Sequence, residues 1–405
     1  MSRHVYLLAL AQLLSASGTV AVVVFGGILG ARLAPDPSLA TLPVSMSILG
    51  LALTTLPAAL LMQRIGRRRA FILSAALAGF ASLVIAWSIW RSNYLVFCLA
   101  IVLLGANLAF VQQYRFAAIE YVGAERASQA VSIVMLGMLG AAWLSPQLAL
   151  LSRHALGGVE FAGSFVVVAL LYAGAIIVLS RLPDSAPRVA SSSEPARPMR
   201  EVARQPQFVV AVLAGVAAFG VMSFIMTATP LSMHVVDGHS VADTTWVVQS
   251  HLFGMYVPSL ASGWLISRLG VKPMMLIGIA LMSTCVTISI LGAHHVMHYW
   301  WGLVLLGAGW NLLFIAGTTL LTTTYRASER FKVQGLNEFA VFGSQALASL
   351  LAGPAIHYLG WSKLNLASIP LLVLMLAGIG VLYRSRVRVA SATPITTASS
   401  AALSD

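Results

Sequence analysis

Long apolar stretches separated by short polar breaks occupy almost the whole chain. Apolar runs fall at 5–33, 39–62, 70–90, 93–114, 127–150 and 160–180, then at 208–233, 241–266, 272–292, 298–324, 330–356 and 364–384. A helix needs roughly 20 mostly apolar residues to cross a bilayer, so the pattern predicts twelve spans. The first run is too long for a signal-peptide core and has no convincing cleavage site, so it reads as the first span. One break differs in kind: 182–207 holds Pro183, Pro187, Pro195, Pro198 and Pro206, the serines Ser191–Ser193 and several arginines. It reads as a flexible, solvated linker between two six-helix halves. The predicted organisation is a six-helix bundle over 1–181, a cytoplasmic linker over 182–207, a second bundle over 208–388 and a disordered cytoplasmic tail over 389–405, rich in Ser, Thr and Ala.

Composition closes off the soluble classes. Of 405 residues, 59% are hydrophobic and only 9% charged, whereas a soluble domain has about a quarter charged. The net charge of +12 does not point to nucleic acid, because the basic residues sit in loops. Arg64, Arg67, Arg68 and Arg69 follow span two, Arg126 span four, Arg268 and Lys272 span eight, and Arg326, Arg330 and Lys332 span ten. Arg181, Arg188, Arg197, Arg200 and Arg204 fill the linker, and Arg384, Arg386 and Arg388 end span twelve; the opposite loops hold only Arg32, Arg91, Arg153 and Lys363. An excess of basic residues marks the cytoplasmic side, which puts both termini in the cytoplasm. Cys98 and Cys285 are too few for a disulfide framework or a Cys-based metal site. No phosphate-binding loop, hydrolytic triad or zinc signature suggests ATP-driven transport, an enzyme or an organic cofactor.

A repeat links the halves. Ala59-Leu-Leu-Met-Gln63-Arg64-Ile-Gly66-Arg67-Arg68 follows span two, and Gly263-Trp-Leu-Ile-Ser267-Arg268-Leu-Gly270-Val-Lys272 follows span eight. Both resemble the loop signature of the major facilitator superfamily, Gly-x-x-x-Asp-Arg-x-Gly-Arg-Arg, with the acidic position replaced by Gln63 and Ser267. The resemblance implies an all-α membrane fold of twelve helices in two pseudo-symmetric six-helix bundles. These loops would serve as gates, around a midplane site exposed alternately to either side.

Candidate chemistry lies in spans seven and eight, as Met222-Ser-Phe-Ile-Met226 and His251-Leu-Phe-Gly-Met255. A four-residue step puts each pair on one helical face, one turn apart. Counting 1.5 Å per residue places all four in the middle third of the bilayer. Thioether and imidazole are soft or borderline ligands that favour copper, above all Cu(I), and an imidazole inside a membrane needs a partner. Methionine is also a common gap-filler in apolar cores, so either motif alone is a weak signal; the pair at matching depth carries more. MxxxM on the seventh helix and HxxxM on the eighth resemble the CcoA-like copper importers (the CalT family). That group also has relatives that import riboflavin and lack the metal motifs. The resemblance implies copper as the transported substrate, delivered to the cytoplasm for haem–copper oxidase assembly, with donor or acceptor proteins as possible partners.

Other residues are less specific. Met233, His234, His239, His294, His295 and His298 mark the outer loops as a possible metal-capture surface, or as ordinary interfacial residues. Glu338 is an acidic residue within an apolar run of the second half and a candidate for proton coupling or gating. Arg115, Glu120 and Glu329 read as gate or positioning charges. The sequence thus predicts a monomeric copper importer of a bacterial cytoplasmic membrane. The alternatives are an organic-solute carrier such as a riboflavin transporter, a drug exporter, or a copper-sensing membrane protein.

Overall fold

A computed structural model describes residues 2–122, 127–183, 197–292 and 295–384, and among them there are helices and turns but no strand. The first half comprises α1 (Arg3–Leu33), α2 (Leu42–Ile65), α3 (Arg67–Trp90), α4 (Tyr94–Val111) with a short continuation α5 (Tyr114–Glu120), α6 (Ala127–Ser152) and α7 (Ala162–Leu179). A short helix α8 (Met199–Ala203) leads into the second half. There α9 (Pro206–Pro230), α10 (Val241–Tyr256), α11 (Ser259–Leu269), α12 (Val271–Leu291), α13 (Val296–Thr322), α14 (Arg330–Leu366) and α15 (Ile369–Arg384) follow.

Among the described residues, ten helical stretches are long and apolar enough to cross a membrane, the last of them Lys332–Arg384 with 53 residues. That stretch is two passes, since the chain breaks at Gly360 (φ 76°) and turns again before α15. A further pass is split in two: α10 has 16 residues and α11 has 11, each too short alone. Pro258 lies at this split; it has no N–H to give and helices end before it. With that broken pass the count is twelve. Local signals set the ends: Asn93 Oδ1 accepts from the Val96 N–H at 3.1 Å, and Ser240 Oγ accepts from the Asp243 N–H at 2.9 Å.

The repeat is written into the backbone. Gly66 and Gly270 each end one helix and begin the next, both at φ 84°, where an L side chain would be strained. Two residues on from each glycine, the basic side chain reaches the last turn of the sixth span of its own half. Arg68 Nη2 donates to the Ser180 carbonyl at 2.8 Å, and Lys272 Nζ to the Leu382 carbonyl at 2.5 Å. A cation on the carbonyl end of a helix meets the negative end of its dipole. These two basic residues thus pin α7 and α15 equivalently, a role that does not need the missing acidic partner.

The halves meet at the end of the molecule away from the linker. Ser45 on α2 and Ser349 on α14 are bonded through their hydroxyls at 2.8 Å, and Ser349 also meets Thr227 on α9 at 3.0 Å. Gln249 on α10 donates to the carbonyls of Ala142 and Trp143 on α6 at 3.2 and 3.1 Å. Towards the linker end the main packing is within each half: α5 lies on α6 and α1, and α11 on α12, α13 and α10. This is a far-end-closed state.

Residues 184–196 and 385–405, which include half of the predicted linker and all of the predicted tail, lie outside the described residues. From Arg197 onward the linker is neither extended nor free. Arg197 binds Glu329 through Nε–Oε1 and Nη2–Oε2, both 2.8 Å, and its backbone N–H donates to Oε1 at 2.7 Å. The Arg326 N–H adds a fourth bond at 2.9 Å, and the Glu329 side chain is 3% exposed. The Arg197 guanidinium holds the Glu329 carboxyl far below the usual carboxylate range. A carboxyl lowered in the folded state stabilises it above the ordinary value of 4.5 and stops doing so as pH falls through the lowered value. The Arg197–Glu329 contact should therefore survive at about pH 5 and fail only in strong acid. Glu329→Gln should release it at neutral pH, seen as faster hydrogen exchange over α8; unchanged exchange would contradict the clamp.

Candidate functional site

Between the halves, second-half helices present apolar and aromatic side chains broken by a few polar groups. Met222 and Met226 on α9 are each 6% exposed, Met255 at the end of α10 is 7% exposed, and His251 is fully buried. α9 and α10 share a neighbour, since both pack against α13. The His251 ring is fixed to that helix: Nδ1 lies 2.8 Å from the Leu303 carbonyl. A carbonyl only accepts, so Nδ1 carries the proton and Nε2 keeps its lone pair. Nε2 is buried with no hydrogen-bond partner. Among the described residues no three His, Cys, Asp or Glu side chains converge as a metal site. A metal ion here would rest on one imidazole and the thioethers.

Met255 sits at the break of the eighth span, and Asn311 on α13 bridges that break. Its Nδ2 donates to the Met255 carbonyl at 2.7 Å and lies 2.5 Å from Ser259 Oγ. Its role follows from Pro258, which interrupts the helical ladder at this break. Interhelical hydrogen bonds in membranes average about 0.6 kcal/mol and reach about 1.7. Asn311→Leu should destabilise the protein by about 1 kcal/mol, read as a lower melting temperature in detergent; an unchanged melt would contradict the bridging role.

An aromatic cluster lies beside this layer. Phe219, one turn below Met222, meets Trp310 at 5.0 Å, Phe314 at 5.1 Å and Phe342 at 5.7 Å between ring centroids, each edge to face. Trp310 and Phe314 are stacked at 5.3 Å, and Tyr256 stands 6.3 Å from Trp310. Across the interface Arg115, on α5 of the first half, is an electrostatic neighbour of both Glu338 and Tyr256. Its guanidinium lies 4.9 Å from the Phe116 ring, and its Nε is buried without a partner. Glu338 thus faces a cation of the opposite half. No local spacing announces the aromatic cluster, because its rings come from four helices distant in sequence.

The predicted outer residues divide into separate groups. His234 Nδ1 lies 2.8 Å from the His239 carbonyl, and the His239 ring is 6.1 Å from Tyr299. His295 and His298 stack at 6.0 Å, while His294 is outside the described residues. Met233 is not on the outer surface: it is buried, 0% exposed to solvent. The chain widens into a π-helical turn over Leu231–Val236 just after Pro230, and this turn carries Met233 inward. In the gating loops Gln63, Arg64, Ser267 and Arg268 are exposed. Arg67 pairs with Glu120 at 2.8 Å, and Arg268 lies over the Trp264 ring at 4.6 Å.

The profile described as Major Facilitator Superfamily matches residues 8–248 and 219–403, overlapping across the middle of the chain. The chain belongs to the major facilitator superfamily. This facilitator is 39% identical over 378 residues to the riboflavin transporter RfnT of Brucella anthropi, covering 92% of this chain and 94% of the relative. It is also 28% identical to the uncharacterized MFS-type transporter YdeG of Bacillus subtilis, over 95% of this chain and 92% of that one. A second Bacillus subtilis protein, the uncharacterized MFS-type transporter YddS, is 24% identical over 94% and 91%. The facilitator fold and a transport role across a membrane therefore stand. The relatives back the organic-solute alternative better than copper import.

Proposed function

We propose that this facilitator imports a flavin-type organic solute, riboflavin in the first instance, across a bacterial cytoplasmic membrane. The observation that carries this reading is the 39% identity, over 92% of the chain, to a riboflavin transporter. The basic loops put the linker side in the cytoplasm, so the far-end-closed state is inward-facing, the state in which an importer releases its cargo. Alternating access then consists of parting the Ser45–Ser349 and Gln249–α6 contacts while the linker end closes. Expression in a bacterium that cannot make riboflavin tests the reading. Growth on micromolar external riboflavin should require the protein, and growth that does not depend on it would overturn the proposal.

One observation favours copper as the cargo instead. His251 offers a buried, unpartnered Nε2 while Nδ1 is fixed by a backbone carbonyl, the arrangement in which metal-ligating histidines are held. Met222, Met226 and Met255 are of the type that would complete a soft-metal site. Copper content of cells with and without the protein decides this second reading: it needs a rise that depends on the protein.

A further inference from the structure

We infer that the aromatic cluster of the second half and Arg115 of the first form the seat of a flat heteroaromatic ring. Its edge would carry both carbonyl oxygens and an imide N–H. The inference rests on the organic-solute reading and specifies where and how such a solute is held.

Among the deeply buried polar groups without a partner, two lie on the helices that carry these rings. Trp310 is 5% exposed, and its Nε1–H, which can only donate, finds no acceptor. Gln345 is 9% exposed, and its Oε1, which can only accept, finds no donor. A buried polar group left unpaired inside a membrane is costly, and a ligand with the complementary edge removes both deficits at once. Gln345 is three residues beyond Phe342 on α14, which places the two on one helical face. Phe342 in turn meets Phe219, and Phe219 meets Trp310. The unpaired donor and acceptor therefore belong to one aromatic assembly.

Shape selects a planar ligand. The stacked Trp310–Phe314 pair makes a flat slab, and aromatic faces bind other aromatic rings by offset or edge contact. Tyr256 joins this slab to Arg115 across the interface between the halves. Arg115 still has a buried unpartnered Nε, a donor for a ring carbonyl supplied from the opposite half. A ligand held from both halves couples its own binding to their relative movement, which is what alternating access requires.

The test uses the full chain in lipid nanodiscs, with riboflavin and N3-methylriboflavin as probes. Binding is read from quenching of flavin fluorescence, and uptake from cells expressing each variant. Wild type should quench riboflavin and transport it. Trp310→Leu should raise the KM about tenfold, the scale of one lost buried hydrogen bond with its stacking. Trp310→Phe, which keeps a ring and loses only the N–H, should fall between the two. Gln345→Leu should erase the preference for riboflavin over its N3-methyl form, because the acceptor for the imide N–H is gone. Trp90→Leu, at an exposed end of α3, should leave the KM unchanged. If wild type transports riboflavin while Trp310→Leu and Gln345→Leu match it in KM and in discrimination, this seat is wrong and the organic-solute reading survives. If wild type neither quenches nor transports riboflavin, the organic-solute reading fails and takes the seat with it.

Discussion

Valine at Gly353 should abolish uptake by holding the far end of the molecule apart. Gly353 lies on α14 one turn beyond Ser349, the residue that bonds to Ser45 and Thr227. A Cβ added there would meet Thr41 Oγ1 at 2.4 Å and the Ser38 carbonyl at 2.5 Å. One of those atoms is backbone and the other belongs to a short side chain, so neither can swing clear cheaply. Overpacking of this kind costs about 1–3 kcal/mol. Because the clash exists only when the two halves are closed at that end, the cost falls on one conformation. Each 1.4 kcal/mol is a factor of ten, so the closed population should drop by about tenfold or more. Spin labels at Asp36 and His357, exposed on opposite sides of this contact, report the separation directly, since Cys98 and Cys285 are buried. The distance should lengthen in Gly353→Val and riboflavin uptake should fall at least tenfold. A short distance with full uptake would contradict the far-end gate.

His251→Ala should weaken the fold without changing cellular copper. The substitution removes the Nδ1–Leu303 carbonyl bond that ties α10 to α13 and leaves a cavity in a packed layer. A lost interhelical bond costs about 0.6 kcal/mol in a membrane protein and the cavity adds to it, for a total of about 1–3 kcal/mol. On the flavin reading, the melting temperature falls and maximal riboflavin uptake per folded molecule is kept. Met222→Ala and Met226→Ala should behave alike, each a packing loss. The opposite pattern, a protein-dependent copper content that disappears in His251→Ala while riboflavin uptake is untouched, would install the Met/His layer as the transport path.

Much of the architecture was legible in the sequence because a membrane leaves few options. Backbone polar groups must be satisfied within each span, so apolar runs report helices almost one for one. The loop repeat was legible too, since Gly66 and Gly270 have the same backbone conformation. The break of the eighth span was not read, although Pro258 marks it, because apolar residues continue on both sides of it within 241–266. Arg197 read as one more cytoplasmic charge; its bonds to Glu329 span 132 positions and leave no local pattern. The same holds for the site. Spacing along one helix exposed the Met and His pairs, whereas the aromatic assembly of Phe219, Tyr256, Trp310 and Phe342 and its cross-interface neighbour Arg115 arise from packing of five helices. Met233 was placed on the outer surface by counting residues, and the π-helical turn after Pro230 rotates it into the core.

The most direct measurement is flux through the purified protein in proteoliposomes, with riboflavin and copper offered in parallel. Vesicles preloaded with unlabelled riboflavin should take up labelled riboflavin from outside, and excess copper should not compete. Copper flux should stay at the level of protein-free vesicles. Protein-dependent copper flux with no exchange of riboflavin would contradict the account and assign the transport path to His251 and its methionines.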